Sequence, residues 1–124
     1  MGPDKRAADI LRAAWKSDIY SPLFSPFNWD SRLEGLPPAY FQVCGGDRLR
    51  DDSLIYEREL RDQGVKTRIN IYRGLPHAFW EILPDLKASK KERVDVGKGI
   101  AWLLGTNVGE EELERTMQLS TVDP

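Results

Sequence analysis

The strongest constraint on the fold is a strand–helix–strand succession in the middle of the chain. The run Ala39–Cys44 is aromatic and apolar and stops at two glycines, which is typical of a buried strand. Asp51–Gln63 has apolar residues at helical spacing, with Asp51 or Asp52 as cap and Gly64 at its end. Thr67–Arg73 alternates as a second strand does. The pattern predicts a βαβ unit with parallel strands and a right-handed crossover.

Helices are expected on both sides of this unit. Asp4–Lys16 carries an apolar stripe at helical spacing. Asp85–Leu104 indicates a last helix, which Gly97 and Gly99 weaken in its middle. The fold class predicted is α/β, with two or three parallel strands and flanking helices. We expect a domain over residues 1–105 and an acidic, flexible tail over 106–124, with a short helical turn at 110–117.

The edges of such a small sheet need partners. A parallel sheet needs cover on both faces, and each free edge is a row of unpaired backbone groups. The strand Tyr40–Cys44 is as apolar as an internal strand, so we expect it to pair with a strand that these 124 residues do not contain. The partner would be a second copy of the chain, most simply in a two-fold dimer, or a complementing chain. The loop Ser21–Arg32, with several large apolar side chains, also needs a surface to rest on.

Composition and charge exclude several classes of function. A net charge of −2 and the lack of a basic stripe argue against a nucleic-acid surface. Cys44 is the only cysteine, so neither a disulfide framework nor a cysteine metal site is predicted. No apolar run would span a bilayer, and the charged start is unlike a signal peptide. The acidic run Glu110–Glu112 is typical of a solvated face, and no phosphate-binding glycine motif surrounds Gly45-Gly46. We expect a cytoplasmic protein with no cofactor, no metal and no membrane partner.

Asp47 and His77 are the candidate catalytic residues. Each follows a predicted strand, and His77 is the only histidine. The carboxyl ends of neighbouring parallel strands lie at one edge of the sheet, so the two side chains can form a proton-transferring pair. No serine lies in a Gly-x-Ser-x-Gly turn, the usual nucleophile context. Cys44 is the alternative nucleophile, but a cysteine that ends an apolar strand is more often a buried, inert thiol.

Several motifs together resemble a known enzyme family. They occur in order as Gly35-Leu36-Pro37-Pro38-Ala39-Tyr40, Gly46-Asp47-Arg48-Leu49-Arg50-Asp51 and Tyr72-Arg73-Gly74-Leu75-Pro76-His77-Ala78-Phe79. The stretch from about Ser21 to Leu104 resembles the C-terminal third of the hormone-sensitive-lipase-like carboxylesterases, which have the α/β-hydrolase fold of the fold-3 type, and the segment around His77 is especially like fungal members. The resemblance implies a truncated α/β-hydrolase fold that lacks the nucleophile elbow and the oxyanion loop.

The resemblance also implies residue roles. Asp47 matches the triad acid and His77 the triad base of the family. Arg48 stands where the family usually has proline, and its charge is expected to lower the pKa of Asp47. Ala78 replaces the usual glycine, which is tolerated unless that position needs a positive φ.

Three interpretations of function remain open. The first is a carboxylic ester hydrolase by descent that retains the acid and the histidine without the serine, and so is not an autonomous esterase. The second is a small isomerase, cyclase or dehydratase that uses the Asp47–His77 pair in a biosynthetic pathway. The third is a non-catalytic module that dimerises through its exposed strand. A small hydrophobic ester or a polyketide-like molecule is the expected ligand.

Overall fold

The structure, a computed structural model, describes residues 9–10, 13–14, 16, 18–29 and 33–119. The chain divides into two compact units, Met1–Arg32 and Leu33–Pro124. In the first unit, the described residues of the predicted helix Asp4–Lys16 are helical at 9–10 and 13–14, and Lys16 lies in a turn. The other residues of that prediction lie outside the described part.

A polar scaffold organises the rest of the first unit. The Asn28 side chain donates to the backbone oxygens of Ile19, at 2.7 Å, and Ser21, at 3.2 Å. A 3₁₀ turn spans Pro26–Asn28, with Ser25 as its cap. The large apolar side chains of this loop are exposed within the structure, namely Leu23, Phe24, Phe27 and Trp29.

The second unit contains the predicted α/β arrangement. Its elements in chain order are β1 (Ala39–Cys44), α1 (Arg50–Asp62), β2 (Thr67–Tyr72), α2 (Phe79–Ile82), α3 (Lys87–Leu103) and α4 (Glu110–Leu119). The strands pair in parallel, in a register that runs from Ala39 opposite Thr67 to Cys44 opposite Tyr72. The prediction of a βαβ unit with two parallel strands and flanking helices is confirmed.

The ends of α1 show one correct and one wrong prediction. Gly64 adopts a φ of 82° just beyond the helix, as a terminating glycine does. The predicted capping by Asp51 or Asp52 is wrong, because the cap position is Leu49 and no side chain caps there. Both aspartates lie in the first turn, where a carboxylate favours the positive end of the helix dipole.

The two faces of the sheet meet different helices, because alternate residues of a strand point to opposite sides. On one face Phe41 packs edge-on against Tyr56 of α1, with ring centroids 6.0 Å apart. On the other face Tyr40 lies against α3, where its hydroxyl is 3.0 Å from the Asp95 backbone oxygen. The sheet is therefore covered by α1 on one side and by α3 on the other.

Two glycines allow α3 to pack closely, and the helix runs through both without a break. A Cβ on Gly99 would lie 2.2 Å from the Tyr40 ring, and one on Gly97 would lie 2.5 Å from Leu113. Their function is close approach, so the predicted weakening is offset by packing. Leu113 belongs to α4, which also joins α3 through a 2.5 Å ion pair between Lys98 and Glu110.

The segment 106–124 contains α4, where the sequence predicted a short helical turn at 110–117. The flexibility of that segment and the domain boundary after residue 105 stay predictions. Among the described residues, no helix has the length and apolar character needed to cross a membrane.

Candidate functional site

A pair of glycines fixes the loop that carries Asp47. The backbone N–H of Gly45 donates to the Tyr72 carbonyl and that of Gly46 to the Leu75 carbonyl, each at 2.8 Å. A Cβ on Gly45 would lie 2.9 Å from Arg73 Cα. Such a contact is too short for any side chain, so the approach of the two loops requires glycine. The carboxyl ends of β1 and β2 are thereby held together.

The structure brings the two candidate residues into hydrogen-bonding contact. Asp47 Oδ2 lies 2.6 Å from His77 Nδ1, and Asp47 Oδ1 accepts the Leu49 backbone N–H at 2.9 Å. The Asp47 side chain is 14% exposed and that of His77 is 72% exposed. With Nδ1 donating to the carboxylate, Nε2 is the basic nitrogen of an accessible ring. The arrangement can take up a proton at Nε2 while Asp47 stabilises the resulting imidazolium.

The Asp47 carboxyl is held in its ionised form. The Leu49 backbone N–H contributes most, followed by the hydrogen bond with His77, and together they lower the pKa of Asp47. Arg48 contributes through its backbone N–H. The expected direction is therefore right, but the expected cause, the Arg48 charge, is not what produces it.

Ala78, directly after His77, adopts the left-handed conformation with a φ of 52° and a ψ of 34°. The position therefore needs a positive φ, so an alanine in place of the family's glycine costs free energy. For a residue with a Cβ, the left-handed region costs roughly 1–2 kcal/mol. The chain therefore carries local backbone strain beside the candidate base.

Cys44 does not offer a reactive thiolate. It is 5% exposed and packs in a cluster with Tyr72 and Phe79. Burial raises the pKa of its thiol, which keeps the sulfur protonated and weakly nucleophilic. This agrees with the interpretation of Cys44 as an inert core residue. In the described part of the chain, no group of three or more acidic, histidine or cysteine side chains is placed to hold a metal ion.

A buried polar cluster behind the site was missed by the sequence analysis. Asp95 Oδ2 accepts from Tyr72 at 3.0 Å, from Asn70 at 3.3 Å and from Lys91 at 2.5 Å. The available signal was the pair of polar groups at alternate positions of a strand, Asn70 and Tyr72. That spacing places both on one face, where they need a buried partner.

Comparison with known proteins agrees with this geometry. The family model described as alpha/beta hydrolase fold matches residues 4–81. The chain belongs to the α/β-hydrolase fold family. The predicted resemblance to esterases and lipases of this family is confirmed by the relatives that follow.

Three curated α/β-hydrolase relatives show the range of similarity. An AB hydrolase superfamily protein of Schizosaccharomyces pombe is 43% identical over 96 residues, which cover 77% of this chain and 28% of the relative. Versiconal hemiacetal acetate esterase of Dothistroma septosporum is 38% identical over 61% of this chain and 23% of its own length. Mouse hormone-sensitive lipase is 39% identical over 52% of this chain and 8% of its own length. The chain thus spans about a quarter of the length, or less, of these relatives.

Solved structures give the same family. The crystal structure of vibralactone cyclase superposes with a TM-score of 0.73 at 33% identity, covering 83% of this chain and 30% of the cyclase. An esterase from Mycobacterium marinum superposes with a TM-score of 0.58 at 28% identity, covering 69% of this chain and 27% of the esterase. The α/β-hydrolase assignment therefore rests on both sequence and backbone geometry.

Proposed function

We propose that this chain supplies the acid and the histidine of a serine-dependent carboxylic ester hydrolase site. The observation that carries the proposal is the 2.6 Å contact between Asp47 Oδ2 and His77 Nδ1. It is supported by the relatives named as an esterase and as a lipase. Asp47 precedes His77 in the chain, which is the order of acid and histidine in α/β-hydrolase triads.

The proposed chemistry is acyl transfer. His77 Nε2 accepts the proton of a serine hydroxyl as the serine oxygen attacks the ester carbonyl, and it returns that proton to the departing alcohol. Asp47 keeps the ring oriented and stabilises the imidazolium in between. Water then hydrolyses the acyl-enzyme by the same route. The serine lies outside these 124 residues, because they contain no Gly-x-Ser-x-Gly sequence.

Two assays test the proposal. The 124-residue chain alone should not hydrolyse a p-nitrophenyl ester above the buffer rate, since it has no serine in the required turn. A chimera of versiconal hemiacetal acetate esterase, in which a segment of this chain that includes Asp47 and His77 replaces the corresponding part of the esterase, should hydrolyse the ester. In the chimera, His77→Ala should lower kcat by about 10⁶-fold, as loss of a triad histidine does.

Comparing the chimera with its His77→Ala variant distinguishes a chimera that is inactive because the segments do not fit together from an incorrect assignment of His77. A chimera that is active and stays active after His77→Ala would contradict the assignment of His77. Turnover by the 124-residue chain alone that depends on His77 would show that this chain carries its own nucleophile.

The partner implied by this proposal is a polypeptide that pairs with β1. In the described sheet, β1 pairs with β2 on one side. The other edge is a template for strand addition, by a complementing chain that carries the serine or, for a non-catalytic protein, by a second copy in a two-fold dimer. A non-catalytic module would dock through the same edge. Light scattering coupled to size-exclusion chromatography should show self-association that rises with concentration, and a monomer at every concentration would contradict the dimer.

One observation favours a second function, a cyclisation without net hydrolysis. The structure with a TM-score of 0.73 is that of a protein named as a cyclase. The Asp47–His77 pair would then act as a general base on a small hydrophobic substrate such as a polyketide-like ester. Activity on such a substrate that is unchanged by both Asp47→Asn and His77→Ala would exclude this function. In either case we propose a cytoplasmic protein, in keeping with its single, buried cysteine.

A further inference from the structure

The side chain of Tyr72 is fixed by α3. Its hydroxyl donates to Asp95 Oδ2 at 3.0 Å, and both residues are 7% exposed. Lys91 compensates the Asp95 charge at 2.5 Å. Tyr40 reaches the backbone oxygen of Asp95 from the neighbouring strand at 3.0 Å. A buried hydroxyl–carboxylate bond within such a cluster restrains the strand end, because breaking it takes this acceptor from the buried Tyr72 hydroxyl and one of three donors from Asp95.

The backbone of Tyr72 connects to both loops of the site. Its carbonyl oxygen accepts the Gly45 N–H at 2.8 Å, two residues before Asp47. The same oxygen accepts the Leu75 N–H at 3.4 Å, two residues before His77. One carbonyl therefore holds the loop of the acid and the loop of the base.

The ring of Tyr72 makes a third connection. It lies 5.3 Å, centroid to centroid, from the ring of Phe79, which is fully buried and follows His77 by two residues. The segment that carries His77 is thus held on one side by the Tyr72 carbonyl and on the other by Phe79 against the Tyr72 ring. Movement of Tyr72 would move Asp47 and His77 relative to each other.

We infer that Tyr72 and Asp95 are positioning residues, which set the distance between Asp47 and His77 from the face of the sheet that packs against α3. Their importance for catalysis rests on the proposed hydrolase function. Their effect on the geometry of the Asp47–His77 pair is independent of that function. A misplacement of about 1 Å can cost about 100-fold in rate, so a bond that fixes the strand end contributes to the reaction without touching substrate.

The opposite end of β2 offers a matched control. Thr67, the first residue of the strand, donates its hydroxyl to Glu57 Oε1 at 2.6 Å. Glu57 is 7% exposed and belongs to α1. Thr67→Val and Tyr72→Phe therefore each remove one hydroxyl that is bonded to a buried helix carboxylate. Only the second hydroxyl belongs to a residue whose carbonyl bonds both loops of the site.

The readout is the imidazole itself, since His77 is the only histidine. Nitrogen-15 NMR of the full chain, at a pH where the ring is neutral, gives the ratio of the Nδ1–H to the Nε2–H tautomer. The wild type should be mainly Nδ1–H, because that proton is donated to Asp47. Tyr72→Phe should lower the ratio several-fold, and Asp95→Asn should lower it less, because an amide oxygen still accepts from Tyr72. Thr67→Val should leave the ratio unchanged.

Three results would overturn the inference. The first is a wild-type ratio in Tyr72→Phe. The second is an equal fall in Thr67→Val, which would make the effect one of general destabilisation. The third is a wild-type ratio in Asp95→Asn when Tyr72→Phe does not fold. None of these measurements needs ester turnover, so failure of the proposed hydrolase function would be seen separately, in the chimera assay.

Discussion

The two ends of β2 use the same local chemistry for different purposes. At the amino end, Thr67 donates its hydroxyl to the buried carboxylate of Glu57 in α1. At the carboxyl end, Tyr72 donates its hydroxyl to the buried carboxylate of Asp95 in α3. Only the carboxyl end leads into the loop of His77 and is also bonded to the loop of Asp47 that follows β1. Each of these buried hydroxyl–carboxylate bonds thus fixes a strand end to a helix. Only the bond at the carboxyl end of β2 also supports the candidate site.

The largest difference expected between matched variants concerns two aspartates that follow β1, Asp47 and Asp51. In the chimera, Asp47→Asn should lower kcat by about 10⁴-fold, because the amide cannot hold the imidazole in the required tautomer. Asp51→Asn is the control, since Asp51 bonds Arg50 at 2.8 Å and is exposed. Its esterase rate should stay within about twofold of the parent chimera. If the two variants lost the same amount of esterase activity, Asp47 would contribute no more to the reaction than an exposed surface carboxylate.

A second prediction contrasts packing with chemistry in the segment that follows β2. Phe79 is fully buried, so Phe79→Ala should lower the free energy of unfolding by about 3–5 kcal/mol. His77 is mostly exposed, and His77→Ala should lower it by less than about 1 kcal/mol. Urea denaturation of the two variants measures the difference. A stability loss in His77→Ala as large as that in Phe79→Ala would show that His77 is a structural residue.

A third prediction tests the contact of α3 with the sheet. Gly99→Ala should lower the free energy of unfolding by about 1–3 kcal/mol, because a methyl group there overlaps the Tyr40 ring and separates its hydroxyl from Asp95. Gly109→Ala is the control, since its Cβ would meet no atom within 4 Å. Thermal unfolding measures the stability of both variants. An equal loss in the two would contradict close packing of Gly99 against the Tyr40 ring.

A fourth prediction concerns the strained residue after His77. Ala78→Gly should raise the free energy of unfolding by about 1 kcal/mol, because glycine adopts a φ of 52° without a Cβ clash. Ala88→Gly, in the first turn of α3, should have the opposite sign, with a loss of about 1 kcal/mol, because glycine is a poorer helix former than alanine and removes the methyl group that packs against the core cluster. Denaturant midpoints measure both stability changes. A lower stability in Ala78→Gly than in the wild type would show that Ala78 is not strained.

The smallest effect is the pH dependence of the Asp47 contribution. Its pKa is lower in the folded chain than in the unfolded one, first through the Leu49 N–H and then through His77. The ionised carboxylate therefore stabilises the fold above about pH 4, and this contribution is lost as the pH falls through the lower folded-state pKa. The stability difference between the wild type and Asp47→Asn should shrink as the pH falls below about pH 4. A difference that grows below about pH 4 would have the wrong sign.

Local sequence patterns predicted the framework well. Alternation and apolar runs placed β1 and β2, and Gly64 marked the end of α1. The start of α1 was mispredicted because aspartates also favour the first turn of a helix, so their presence does not identify the cap. The short helix Phe79–Ile82 was missed, since four residues are too few for a periodic pattern.

The site was predictable in part. The meeting of Asp47 and His77 could be predicted because each lies in the loop that follows a strand, and parallel strands bring such loops to one edge. Asp95 could not, because its partners Tyr72 and Tyr40 come from two strands and depend on the packing of α3. For the left-handed conformation of Ala78 the only sign was the glycine that the resembled family usually has there, because alanine itself gives no sign of a positive φ.

The contact between Asp47 and His77 is tested most directly by nitrogen-15 NMR of the wild-type chain and of Asp47→Asn. The single histidine makes the ring signals unambiguous. The neutral wild-type ring should be protonated at Nδ1, with Nε2 free as the base, and the ring of Asp47→Asn should shift toward the Nε2–H tautomer. Ring shifts that are the same in both proteins would show that Asp47 is not the partner of His77.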